Sequence, residues 1–143
     1  MKYLFRFVTV FLLLSFVAPG EKVFKKDGVS FVIPDECKVT EEEDFEGEGY
    51  CLSCEKEGDN SSGLVTVTWN NDSLNLEAII NEYGTELKKN FTAQGADPKM
   101  GAAKAITFNG RKALGMDYTM SQMGVPHEGH IYSFYCKGKT ITR

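Results

Sequence analysis

Cys37, Cys51, Cys54 and Cys136 are the residues of this chain best suited to covalent chemistry. Four cysteines allow three disulfide pairings. A Cys51–Cys54 bridge is the poorest if the segment is a strand, because three residues then span ~10 Å and a disulfide wants Cα atoms within about 7 Å. The Cys51-x-x-Cys54 spacing also has a redox reading and a zinc reading. Redox use wants the motif at a helix N-terminus, where a thiol pKa falls. A structural zinc site usually pairs two such close-spaced knuckles, and only one exists here. Residues 50–56 alternate instead, with Tyr50, Leu52 and Cys54 on one side and Cys51, Ser53 and Glu55 on the other. Cys136 shares its side with Tyr132 and Phe134. With both faces inward, the consistent set is Cys54–Cys136 with Cys37–Cys51.

A second cluster lies between Met116 and His130, where Met120, Met123, His127 and His130 fall close together. Thioether and imidazole are ligands that suit copper. Against a metal, Met116, Tyr118 and Met120 alternate as core residues of a strand do, and Met is ordinary gap filler. His127 and His130 are expected to flank a Gly-containing turn in solvent, and their spacing does not give the i, i+4 helical pair of a zincin. The run Glu41–Glu48 puts six acids in eight positions and reads as a solvated loop. It lacks the Asp-x-Asx-x-Asx-Gly order of a calcium loop. Trp69 ends a strand-like run and reads as core, since Trp is highly buried on average. Asn60-Ser61-Ser62, Asn71-Asp72-Ser73 and Asn90-Phe91-Thr92 match the glycosylation acceptor pattern. No phosphate-cradling glycine loop and no nucleophile elbow is present, so no enzyme and no cofactor is expected.

The chain that must position these residues has 143 of them, 25% charged and 42% hydrophobic, with a net charge of −4. That is enough apolar surface for one folded domain and too acidic a balance for a nucleic-acid binder. Residues 1–20 follow the grammar of a secretory signal. Lys2 and Arg6 precede an apolar run from Phe7 to Ala18, and Ala18-Pro19-Gly20 offers small residues at a cut before Glu21. The run is shorter than the ~20 residues a spanning helix needs. No Cys stands at the cut, so a secreted or periplasmic protein is expected rather than a lipoprotein. Residues 21–143 then form a single domain with no transmembrane segment, carrying 14 basic and 20 acidic side chains.

Within it, Asp27-Gly28 and Asn109-Gly110 are two-residue hairpin signals, each flanked by apolar-rich runs. Lys137-Gly138 joins His130–Cys136 to Lys139–Thr142 in the same manner. Leu76, Ile80, Tyr83, Leu87 and Phe91 recur at the helical period, which predicts a helix over about 73–91 capped by Asp72 or Ser73. Leu87 is expected in the core, and Gly84 implies close packing. The fold class is therefore α+β, an antiparallel sheet of about seven to eight strands with one long helix on a face. Lys139–Arg143 reads as an exposed edge strand blunted by Lys137, Lys139 and Arg143, able to support a weak homodimer.

The order of signals resembles the PsbP-like fold group, which includes DcrB-type bacterial envelope proteins. The likeness rests on Val29-Ser30-Phe31-Val32-Ile33-Pro34, the helix, Ile106-Thr107-Phe108-Asn109-Gly110-Arg111 and Ile131-Tyr132-Ser133-Phe134. Members of that group finish with a strand and a helix, and this chain lacks the helix. The resemblance implies a non-catalytic accessory or binding role toward a protein or cell-envelope partner. The alternative from the residues is a small-ligand or copper carrier using Met116–His130.

Overall fold

A computed structural model describes residues 21–58 and 62–143. The signal read at residues 1–20 lies outside the described residues, as does Asn60 of the first acceptor pattern. The chain divides into two compact units, one ending at Asp35 and one running from Glu36 to Arg143.

The first unit holds β1 (Glu21–Lys26) and β2 (Val29–Pro34), a two-stranded antiparallel sheet of its own. Asp27 and Gly28 turn the chain with φ of 51° and 80°, as the Asp-Gly signal predicts. Phe24 and Phe31 are register partners whose rings stack 5.2 Å apart.

The second unit is the large sheet. Its strands are β3 (Cys37–Asp44), β4 (Gly49–Lys56), β5 (Gly63–Asn70), β6 (Lys99–Met100), β7 (Lys104–Phe108), β8 (Arg111–Gln122), β9 (Val125–Cys136) and β10 (Lys139–Thr142). They lie in the order β3-β4-β5-β10-β9-β8-β6, with β7 also paired to β8, and every ladder is antiparallel. The coarse class, α+β with an eight-stranded antiparallel sheet and one helix, is the one expected.

The single helix among the described residues, α1, spans Leu76–Ala93. Its cap is Asn75, whose side chain accepts from the Ala78 N–H, and not Asp72 or Ser73. Asp72 is occupied elsewhere. Its carbonyl accepts from the N–H and the hydroxyl of Thr140, and that hydroxyl in turn accepts from the Leu74 N–H. The loop before the helix is therefore fastened to β10, and the helix starts after it. α1 packs on β8 and β9 through Ile80, Met116 and Ile131. Gly84 lies against the Met116 thioether, where a Cβ would come within 2.7 Å of the sulfur, so the expected close packing is present. Ile80 is fully buried, whereas Leu87 is only half-buried. The stripe is continuous in sequence, but its second half overhangs the sheet.

Two further expectations are corrected. The acidic run is not a loop as far as Asp44: β3 carries Glu41, Glu43 and Asp44 opposite Ser53, Cys51 and Tyr50. Ser53 donates to Glu41 and Tyr50 to Glu42. β3 is an edge strand, and charges on an edge stay solvated while the backbone pairs on one side. The second correction concerns β10. It is hydrogen-bonded to β5 through Thr140↔Asn70, Ile141↔Trp69 and Thr142↔Thr68, and to β9 on its other side. It is an interior strand with no free edge, so it cannot carry a homodimer by edge pairing.

Candidate binding site

The feature that stands out in the large sheet is produced by the shortness of β10. Arg143, just past its end, exchanges both backbone hydrogen bonds with Tyr132, at 2.6 and 2.8 Å. β5 and β9 run on beyond that point, β5 back to Gly63 and β9 back to Val125. Among the described residues, Gly63–Val67 and Val125–Ile131 pair only on their far sides, with β4 and β8. A slot that continues the line of β10 is left between them. Its volume is about 800 Å³.

Side chains from both faces line it. On the helix face the lining is Tyr83, Leu87 and Phe91 of α1, with Tyr118 and Met120 of β8. Phe91 and Tyr118 stand 5.9 Å apart, and the Tyr118 ring occupies the space over its register partner Gly129, where any Cβ would clash. The overhanging half of the apolar stripe faces the slot because, among the described residues, no strand lies beneath it. Burial pushes the hydroxyls of Tyr83 and Tyr118 above the ordinary phenol range, so both are neutral donors near pH 7. At the closed end, Arg143 reaches over the Phe108 ring, 5.9 Å from its centre, and Phe108 stacks on Tyr132. A cation is thereby held at the point where β10 stops.

Next to the slot, the helix face of β5 and β10 is lined with hydroxyls. Ser53 pairs with Thr66 at 3.0 Å, Ser133 with Thr142 at 3.0 Å, and Thr68 donates to Cys51. Because these groups satisfy one another, they can be buried without cost from unpaired donors. This stripe has no counterpart among the residues singled out from sequence, although the alternating Thr66, Thr68, Thr140 and Thr142 were available as its signal.

The proposed ligand cluster does not assemble. Met123 and Gly124 form a hairpin turn with φ of 51° and 80°, so Met116–His130 is two paired strands. Met120 and His127 are register partners on the helix face. Met123 is 97% exposed at the turn. His130 points to the other face, where its Nδ1 is 2.8 Å from Asp117. Lys104 donates to the other oxygen of that carboxylate at 2.6 Å. Lys104 and then His130 hold the Asp117 carboxyl below its ordinary range. Among the described residues, no three of His, Cys, Asp and Glu converge to hold a metal ion.

The four cysteines are free thiols. Cys54 and Cys136 do share a face, as alternation predicts, but β5 and β10 stand between their strands. Three strand spacings amount to ~14 Å, far beyond disulfide reach. Cys51 lies opposite Glu43 and Cys37 opposite Lys56, on opposite faces of the sheet. Neither expected pair is brought together. No helix is long and apolar enough to cross a membrane among the described residues. The chain matches no protein-family model, and no curated protein matches it.

Proposed function

We propose that this protein is an exported, non-catalytic binding domain that takes an extended segment of a partner protein into the slot between β5 and β9. The observation that supports this is the opening beyond β10 between β5 and β9, whose facing backbones have no ladder partner among the described residues. A peptide entering as a strand pairs on both sides, and each backbone hydrogen bond contributes about 0.5–1.5 kcal/mol net. Continuing β10, it would run antiparallel to both neighbours. Alternate side chains would meet Tyr83, Leu87 and Phe91, so the preferred partner has apolar residues at every second position. Export is supported by the signal grammar of residues 1–20, and the resemblance to the PsbP-like group rests on the order of signals in the sequence.

A hydrolytic role finds less support. His130 is partnered by Asp117, but among the described residues no hydroxyl or thiol is hydrogen-bonded to its ring.

The test is titration with eight-residue peptides in which Val or Phe alternates with Lys or Thr, read by amide hydrogen exchange. Binding should protect amides within 63–67 and 125–131. A peptide of equal composition with Pro at its centre should bind at least tenfold more weakly. Binding without protection of those amides, or equal affinity for the Pro peptide, would overturn the proposal.

A further inference from the structure

Cys37 and Cys54 form the one pair of thiols that the fold places side by side. Cys37 stands opposite Lys56 and Cys54 opposite Val39 on neighbouring antiparallel strands. Lys56 and Cys54 are two residues apart on β4, so Cys37 and Cys54 share a face as diagonal neighbours. Cys37 is near enough that its charge raises the Cys54 thiol pKa, after the larger effect of burial. The other two cysteines are kept away. Cys51 lies on the opposite face, and Cys136 is three strands distant.

We infer that Cys37 and Cys54 are a redox pair that closes into a cross-strand disulfide when the protein meets a small-molecule disulfide oxidant. Three features of β3 and β4 favour closure over any other pairing. β3 is the edge of the sheet, with no ladder on its outer side among the described residues. Its register shifts between Val39 and Glu41, a bulge that allows the short sideways movement a diagonal pair needs to reach bonding distance. The two thiols also differ in access: Cys54 is buried and Cys37 half-buried. Burial, ahead of the effect of Cys37, pushes the Cys54 thiol above its ordinary range and keeps it protonated at rest.

The order of steps follows from that difference. The Cys37 thiolate attacks one sulfur of the oxidant, breaking its S–S bond, and the first leaving thiolate takes up the Cys37 proton. Cys54, losing its proton to solvent or buffer, attacks the Cys37 sulfur of the mixed disulfide. The second leaving thiolate departs and is protonated. In sum two protein thiols lose two protons and two electrons, and one oxidant disulfide becomes two thiols. The product joins the edge strand covalently to β4. This inference is independent of what the slot binds.

The test uses the purified reduced chain, equilibrated in glutathione buffers from fully reduced to fully oxidised and then alkylated with iodoacetamide. The oxidised protein should be lighter by two hydrogens before alkylation. A non-reducing digest should contain one linked peptide pair bearing Cys37 and Cys54, with Cys51 and Cys136 alkylated. Cys136→Ser should leave the bridge unchanged. Cys37→Ser, at a half-buried position that tolerates the change, should show no loss of two hydrogens at any buffer composition. Four alkylated thiols under oxidising conditions, a glutathione adduct that persists on Cys37, or a bridge that includes Cys51 or Cys136 would each overturn the inference.

Discussion

β5 and β9 bound two regions that differ only in what lies between them. In one region β10 fills the space, and Trp69, Ile141 and the hydroxyls of Thr140 and Thr142 are buried. In the other no strand lies between them among the described residues, and Leu64 is 61% exposed while Leu87 and Phe91 line the slot. The flanking strands stay extended in both regions because each has a full ladder on its far side, β5 with β4 and β9 with β8. A sheet can therefore hold an opening inside itself without collapsing, provided the walls are paired outward. The filled region is buried, and the open one leaves apolar side chains of the helix half-exposed.

The comparison can be broken at the helix, which spans both regions. Ile80 is fully buried against Met116 and Ile131, and Ile80→Ala should lower unfolding free energy in denaturant titrations by about 2–5 kcal/mol. Leu87→Ala, two turns on, should cost about 1 kcal/mol or less, because the truncated atoms already face the slot. Equal costs at the two positions would mean that the slot is closed in solution.

Next in size is Thr140, which is fully buried and holds the loop before the helix. Thr140→Val keeps the shape but leaves the Leu74 N–H without its acceptor and removes a donor from the Asp72 carbonyl. A loss of about 1–3 kcal/mol is expected by chemical denaturation, with faster amide exchange at Leu74. An unchanged exchange rate at Leu74 would show that the loop does not depend on β10.

The smallest effect belongs to the exposed cluster on the opposite face. The Asp117 carboxyl is held below its ordinary range by Lys104 and His130, so its folded pKa is lower than its unfolded one. Its contribution is present above the ordinary carboxylate range and disappears as pH falls through the folded value. The melting temperature of Asp117→Asn should lie slightly below that of the parent at neutral pH, and the two should converge in acid. A constant gap across that range would remove the ion pair as the cause. Both partners are solvent-exposed, which keeps the effect small.

Short-range chemistry was readable because it is written in adjacent residues. Asp27-Gly28, Asn109-Gly110 and Lys137-Gly138 all turn with positive φ, as two-residue hairpins require. Met123-Gly124 does the same, although Met is not a residue that favours positive φ. Alternation also placed Cys54 and Cys136 correctly on one face. It failed to say that two strands lie between them, since a period of two reports which way a side chain points and nothing about which strand is next.

Local sequence determined the hairpins, the helical stripe from Leu76 to Phe91, the strand faces and the coarse α+β class, because turn conformation and periodicity depend on residues within a few positions of each other. Only the tertiary structure decided that β10 enters between β5 and β9, some seventy residues apart along the chain from Thr68 to Thr142. That placement turned an expected edge into an interior strand and split the apolar stripe between core and opening. It also created the slot, and sheet order set Cys37 beside Cys54. Pairing between distant strands is a competition among backbones with identical hydrogen-bonding groups, and it is settled by the packing of whole faces rather than by any short run of residues.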